Sequence, residues 1–454
     1  MNTNFIIVIA VVAILVGGGA TYLITNSNDE DKEIVYDGNT RFAIYGNVNC
    51  DDYIDSKDVE IVKQLASDEI EFDKTKHRYA DANTDGTIDD KDVEIVEKLA
   101  DKQATTLHYV GLGGVKSINY PLTGTIASHH VYPLDALIIL GLYDKVVGMT
   151  QQGFNNTVGK DTARFPGVGT RIVNIGDAAN DPEKLVATGA KSIIFGNDRN
   201  TTNLENFIRD TPSLDLQIVY LPMSMYYPDT PDLMGSILML GFMYQAEERA
   251  HEYIDFVDGI QKDITDKAKD IATDLTYMTP LLWSSGDEDA ELDPNEIEFD
   301  VIFDDGSMYG DVYTINKLLM RSVNPIGPAG EYFYSDLEKI IDTDPDTIFV
   351  IGFNTSKATP QQVQKNLDSA AKVLKDTDAY KNGRIYGVNY YNIANYAGVP
   401  TLPLLASFIW PDVFDRDDAL DTLKEYYKEF TLYGDKDITT MGYCLAFQMS
   451  QTSA

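Results

Sequence analysis

The sequence predicts an α/β chain in which two α/β lobes are joined by a single long helix, preceded by an N-terminal transmembrane helix and a small all-α domain. Three observations predict it. From residue 107 onward, β-rich apolar runs alternate with helical patterns, as expected for strands packed under helices. Within that stretch a helix-to-strand unit occurs twice. Glu183-Lys184-Leu185-Val186 leads through Thr188 into SIIFG at 192–196, and Glu338-Lys339-Ile340-Ile341 leads through Thr343 into TIFVIG at 347–352. Near the front a loop-helix unit also occurs twice, as NVNCDDYIDSKDVEIVKQLA at 47–66 and DANTDGTIDDKDVEIVEKLA at 81–100.

In chain order, residues 5–24 form an uncharged apolar run, FIIVIAVVAILVGGGATYLI. As a helix it is about 30 Å long, the thickness of a bilayer's hydrocarbon core. Residues 1–27 are therefore expected to be an uncleaved anchor; a cleaved signal is the alternative, disfavoured because no Lys or Arg precedes the run. The acidic segment NSNDEDKE behind it places the bulk of the chain outside the cell. Asn-x-Ser/Thr triplets at Asn155, Asn200 and Asn354 are compatible with that side. With 72 acidic against 36 basic residues, the net charge of −36 repels nucleic acid and anionic lipid. Cys50 and Cys444 match neither a disulfide framework nor a CxxC site.

Residues 42–103 hold the first duplication. In the second copy Asp81, Asn83, Asp85 and Asp92 occupy positions 1, 3, 5 and 12 of a loop with Gly86 at position 6. A hard cation needs six to eight oxygens. The alternation turns three side chains inward, Thr87 offers its backbone carbonyl, Asp89 can hold a water and Asp92 closes the shell, so the loop is expected to bind calcium. In the first copy the corresponding residues are Asn47, Asn49, Asp51, Tyr53 and Asp58, with Asp52 in place of the glycine. Less charge at position 1 and a costlier turn predict the weaker site in this first copy. Asp rather than Glu at position 12, with a helix after each loop, resembles the dockerin module. That resemblance implies a cohesin-like partner and puts the partner-facing positions at Ser56, Lys57, Asp90 and Lys91. Removal of Asp81 and Asp92 is expected to unfold the module and leave residues 107–430 intact. Calcium in so small a module can also serve only to hold it together.

The remainder divides into a first lobe at 107–228, a linking helix at 229–270 and a second lobe at 271–454. The link is expected to be one amphipathic helix from the spacing of Leu233, Ile237, Leu240, Tyr244, Tyr253, Val257, Ile260 and Ile264. Two α/β lobes on one helix, together with ASHHVYPLDALIILGLYDKVVGMT, RFPGVGTRIVNIGDAANDPEKLVATGAKSIIF and YSDLEKIIDTDPDTIFVIG in that order, resemble the helical-backbone class of ABC-importer substrate-binding proteins. The resemblance implies an ABC permease and ATPase as partners and an iron chelate, haem or cobalamin as ligand. It also makes Glu183 and Glu338 the residues that dock the permease, a pairing suited to a twofold partner. The alternative is that each Glu is only a first-turn residue favoured by its helix dipole.

A ligand between the lobes would meet loops after the strands. On the first lobe these supply His129, His130, Tyr132, Phe154, Asn155, Arg171 and Arg199; on the second, Trp283, Tyr309, Tyr313, Asn354, Tyr390 and Tyr391. Aromatic rings with a few cations suit a large planar or chelated anion. The acidic stretch 284–306 reads as a solvated loop that would disfavour strongly anionic ligands if it lay at the mouth. No GxSxG, HExxH, Walker loop or Cys-His arrangement occurs, so no catalytic residue is assigned. The expected localisation is the cell surface, and the acidic composition without a lipid-attachment cysteine suits an archaeal protein. The competing function is a calcium-dependent surface scaffold whose lobes act as a sensor or spacer.

Overall fold

Helices α1 (Ser56–Ala66) and α2 (Asp90–Ala100) begin and end alike, because their sequences carry the same local signals. Asp55 and Asp89 cap their N-termini, each in a reciprocal capping box with the Asp three residues on, Asp58 and Asp92. Each helix ends on a left-handed residue, Asp68 at φ 57° and Lys102 at φ 56°. There the N–H groups of Glu69 and Gln103 close back on Gln64 and Lys98 at 2.8 and 2.7 Å. The computed structural model describes residues 41–157, 164–180, 182–196, 201–211, 213–223, 233–269, 271, 275–282, 299–302, 321–322, 333–334, 337–352, 358–389, 392 and 396–450. The expected anchor at 1–27 and most of the acidic stretch 284–306 lie outside them. No helix among the described residues is long and apolar enough to cross a membrane, and Cys50 and Cys444 form no disulfide.

Strands β1 (Thr105–Gly111) and β2 (Gly114–Tyr120) pair in an antiparallel hairpin, turned by Gly113 and Gly114 at φ +73° and +108°. The first α/β unit follows as β3 (Ile126–Ser128), α3 (Val131–Ile139), β4 (Val146–Met149), α4 (Gln151–Thr157), β5 (Val173–Asn174), α5 (Glu183–Ala187), β6 (Ser192–Phe195), α6 (Thr202–Asp210) and β7 (Gln217–Tyr220). Its five strands lie parallel in the order β5-β4-β3-β6-β7. The hairpin covers the outer edge of this sheet. Leu112 N–H donates to Tyr220 O at 3.3 Å, Tyr220 N–H donates to the Tyr109 hydroxyl at 3.0 Å, and Asn119 N–H donates to Gln217 Oε1 at 3.1 Å.

The link to the second sheet is two helices, α7 (Leu233–Met243) and α8 (Glu247–Ala268), which corrects the expectation of one. The apolar spacing runs on through Tyr244, but Gln245 takes a left-handed φ of 56°. Its N–H and that of Ala246 close back on Phe242 O at 3.1 Å and Gly241 O at 2.7 Å, ending α7 in a Schellman turn. All eleven residues of α7 are buried, while α8 buries one stripe through Ala250, Tyr253, Val257, Ile260 and Ile264. The two pack closely at Gly241, where an added Cβ would stand 2.6 Å from the Ala250 Cβ.

The second sheet contains β8 (Thr276–Met278), β9 (Pro280–Leu282), β10 (Phe299–Ile302), β11 (Arg321–Ser322) and β12 (Phe333–Tyr334). Then come α9 (Leu337–Thr343), β13 (Thr347–Gly352), α10 (Pro360–Val373), α11 (Asp378–Lys381), β14 (Ile385–Asn389), α12 (Gly398–Ile409), α13 (Arg416–Phe430) and β15 (Ala446–Gln448). The fully buried β13 is its centre, parallel to β8, β9 and β14; β15 closes one side antiparallel to β14. Arg249 on α8 ties the two units together by donating to Ile139 O at 3.2 Å and Glu429 O at 2.6 Å.

The expected independence of residues 42–103 is also corrected. Phe42, Ile44, Ile54, Tyr79 and Leu99 belong to the same buried cluster as Tyr109, Ile118, Phe242 and Tyr253. Backbone bonds extend the contact, with Tyr45 N–H on His108 O at 2.9 Å and Val110 N–H on Ala43 O at 2.9 Å. The chain thus docks the module on the hairpin and on α7–α8 instead of leaving it as a bead. Replacement Gly241→Val should lower stability by about 1–3 kcal/mol through overpacking against Ala250, measured as a drop in the urea or thermal midpoint.

Candidate functional site

In the second loop the ligand-type oxygens are held by the loop's own N–H groups. Asp81 accepts from Asp85 and Gly86 N–H at 3.1 and 2.8 Å, Asn83 from Asp85 N–H at 2.8 Å, and Asp85 from Thr87 N–H at 3.0 Å. Asp92 is buried and accepts from Asn83 and Asp89 N–H at 3.0 and 2.9 Å. Asp89, expected to hold a water, also caps α2. Gly86 turns at φ +92° in open space. The first loop repeats much of this: Asp51 N–H on Asn49 at 2.9 Å, Tyr53 N–H on Asp51 at 2.8 Å, and a buried Asp58 accepting from Val48, Asn49 and Asp55 N–H at 2.7, 3.1 and 2.9 Å. It departs at position 6. Asp52 is not among the left-handed residues, so the turn expected to strain it is made otherwise.

The first loop also shows whether calcium fits. The Asn47 amide donates to Phe42 O at 2.8 Å and Asp51 O at 2.6 Å, which leaves its buried Oδ1 with no hydrogen bond. An all-oxygen, carboxylate-rich set with one buried oxygen lacking a partner suits a hard cation. Burial pushes the Asp58 and Asp92 carboxyls upward against the lowering pull of their backbone donors. A calcium ion would supply the opposing charge. Among the described residues no three His, Cys, Asp or Glu side chains are gathered as a ready metal cluster. The oxygens rest mainly on backbone N–H groups, with one side-chain bond among them, from the Asn49 amide to Asp51 at 2.8 Å. Ser56, Lys57, Asp90 and Lys91 are all exposed at the helix starts. Lys91 lies 3.3 Å from Asp85 and 3.4 Å from Asp89, and Lys57 3.6 Å from Asp55.

The second candidate lies at the carboxyl ends of the first sheet's strands. His129, His130 and Tyr132 follow β3 as expected, but all three are buried. The His129 ring stacks on Phe195 at 4.9 Å and the His130 ring on Tyr132 at 5.0 Å, so adjacent histidines serve different partners. Phe154 sits half-buried on α4, while exposed Asn155 accepts a hydrogen bond from Gln151 at 2.6 Å. Arg171 is not brought to them. It donates to Tyr143, Asp144 and Val146 carbonyls at 3.2, 3.2 and 2.7 Å, at the start of β4 and thus the far end of the sheet. Its assignment to a ligand is corrected: a guanidinium satisfied by a carbonyl turn is structural here. Arg199, Trp283, Tyr309, Tyr313, Asn354, Tyr390 and Tyr391 lie outside the described residues.

No spacing pattern signals the water-sized cavity of about 20 Å³ between α3 and α13, lined by Asp135, Arg164, Asn392, Tyr426, Tyr427 and Tyr433. Arg164 pairs with Asp135 through Nε at 3.1 Å and through Nη2, with both residues buried. Across from them the Tyr427 hydroxyl donates to Asn392 at 2.9 Å. Residues from both halves of the chain thus meet at one charged pair. Glu183 and Glu338 are exposed, each in the first turn of a short helix (α5, α9) that feeds a buried parallel strand (β6, β13).

A parallel first sheet and a mixed second sheet linked by a helix pair, with the module docked on the hairpin and the helices, can be set beside known structures. FepB from Veillonella parvula, a TroA-like periplasmic binding protein, matches with a TM-score of 0.54 at 16% identity, over 76% of this chain and 99% of that chain. The fold is that of a TroA-like periplasmic binding protein. MolA from Haemophilus influenzae, bound to molybdate, matches this binding-protein fold with a TM-score of 0.51 at 15% identity, over 69% and 95% of the two chains. CeuE from Helicobacter pylori with Ni(II) bound gives 0.50 at 15% identity, over 71% and 95%. Residues 45–99 match the Dockerin type I domain. No curated protein matches the chain.

Two measurements test the site. Asp92→Ala removes a position-12 oxygen and half of a capping box, a loss of about 1 kcal/mol from the cap alone. Calorimetric calcium titration should then lose the tighter of two unequal events, and the main unfolding transition should fall because module and binding domain share a core. Arg164→Ala takes the guanidinium from the buried Asp135 carboxylate and should lower stability by about 3–5 kcal/mol, read from denaturant unfolding.

Proposed function

We propose that the chain is an extracytoplasmic substrate-binding protein of an ABC importer that captures a metal complex between two lobes and delivers it to the permease. The observation that carries this reading is the pair Glu183 and Glu338, exposed at matching places on the two sheets of a binding-protein fold. Two carboxylates at equivalent positions register a molecule against a twofold partner and steer its approach more than they add affinity. The buried rings of His129, His130 and Tyr132 at the β3 end support an aromatic floor for that cleft. Iron chelates, haem and corrinoids are the ligand class that such a floor suits. The bound molybdate of MolA and nickel of CeuE belong to those proteins, and they widen the class to be tried. Residues 1–27 hold the protein at the membrane in this scheme.

A second reading rests on the module. Its exposed Ser56, Lys57, Asp90 and Lys91 leave a face for a cohesin-like partner even though its back is docked. The chain would then fix a receptor within a surface complex.

Incubation of the purified protein with iron chelates, haem, cobalamins, molybdate or nickel, followed by spectra and elemental analysis of what is retained, should show one retained class. Retention of none would favour the scaffold. Alanine at both Glu183 and Glu338 should abolish most uptake in a transport assay while leaving ligand retention unchanged; undiminished uptake would remove the docking role.

A further inference from the structure

The first calcium loop differs from the second at position 6, where Asp52 stands in place of glycine, and the difference points outward to α8. Arg41 joins them. Its Nε and Nη2 donate to the Asp52 carboxylate at 3.0 and 2.7 Å, and its Nη1 and Nη2 donate to Asp258 at 2.9 and 2.7 Å. One guanidinium therefore forks onto two carboxylates, one in the loop and one on the helix. The next loop residue, Tyr53, stacks its ring on His251 of α8 with centroids 4.1 Å apart and planes 10° off parallel. At the module's other end Lys102 pairs with Glu247 at 2.8 Å. The corresponding positions of the second loop make no such reach: Gly86 has nothing within 4 Å of where its Cβ would be, and Thr87 is exposed.

We propose that Asp52 and Tyr53 are a tether, and that cation binding in the first loop fastens the module to α8 and so stabilises the link between the two sheets. The departure from glycine is thus a gain of attachment, and since Asp52 is not left-handed it carries no positive-φ strain in the turn. Positions 5 and 7 are among those through which such a loop ligates a cation, and position 6 lies between them. Position 6 holds the carboxylate that Arg41 grips, and position 7 holds the ring on His251. On its opposite face α8 carries Tyr253, whose hydroxyl donates to Tyr396 O at 2.7 Å. Order imposed at the loop is in this way passed to the second half of the chain, independently of which ligand the cleft takes.

The test is hydrogen exchange of the full chain in calcium chloride or in EGTA, read on peptides from residues 247–268, with calcium uptake followed by calorimetry. Calcium should slow exchange in α8 by about tenfold, as expected when a ligand binds only the closed form. Asp52→Gly should retain both calcium-binding events and lose the slowing. Asp258→Ala should lose it from the helix side with the loop untouched, and it decides alone if Asp52→Gly does not fold. Exchange in α8 that ignores calcium in the unaltered protein overturns the proposal, as does full slowing in either variant.

Discussion

An eleven-residue helix with no exposed side chain must be enclosed on every side, and α7 sets that demand. Four parts of the chain meet it. Phe42 of the module packs edge-on against Phe242 at 5.6 Å, Tyr120 of the hairpin stacks on the same ring at 5.0 Å, Ser236 donates to Pro222 O at 2.8 Å, and Gly241 receives Ala250. The terms are hydrophobic burial and close packing, so they weaken together if any one wall is withdrawn. Both sheets hang from this enclosed helix and its partner α8.

Much of this was legible in the sequence wherever the cause is local. The helix after each loop and the helix-to-strand units at Glu183 and Glu338 depend on neighbours a few residues away, and each forms as its spacing indicates. The break at Gln245 was hidden because a non-glycine residue fills the left-handed place, leaving no composition signal. Arg171 was misplaced because residue type alone cannot tell a cation aimed at a cleft from one bound to a carbonyl turn. The Arg164–Asp135 pair spans 29 residues, and the cavity beside it adds groups from the far end of the chain. No periodicity reports such a meeting.

The two loop-helix copies show how duplication permits divergence. Both keep the buried Asp at position 12, which serves the helix as well as the loop and so is doubly constrained. Position 6 serves only the turn. It can be surrendered in one copy provided that something else is gained there, and in the first copy it faces Arg41.

The hairpin laid against β7 has a consequence for behaviour at high local concentration. A parallel sheet with an open edge offers a row of unpaired N–H and C=O groups to any neighbouring chain. Here the β7 edge is occupied by Tyr109, Leu112 and Asn119, and the opposite edge is β5, only two residues long. The hairpin is in turn pinned by the module through the bridge between Ile44 and Tyr109. The module therefore also acts as a guard against intermolecular strand pairing. Its loosening would bare the β7 edge to a neighbouring chain at the same time as it withdrew the Phe42 wall from α7.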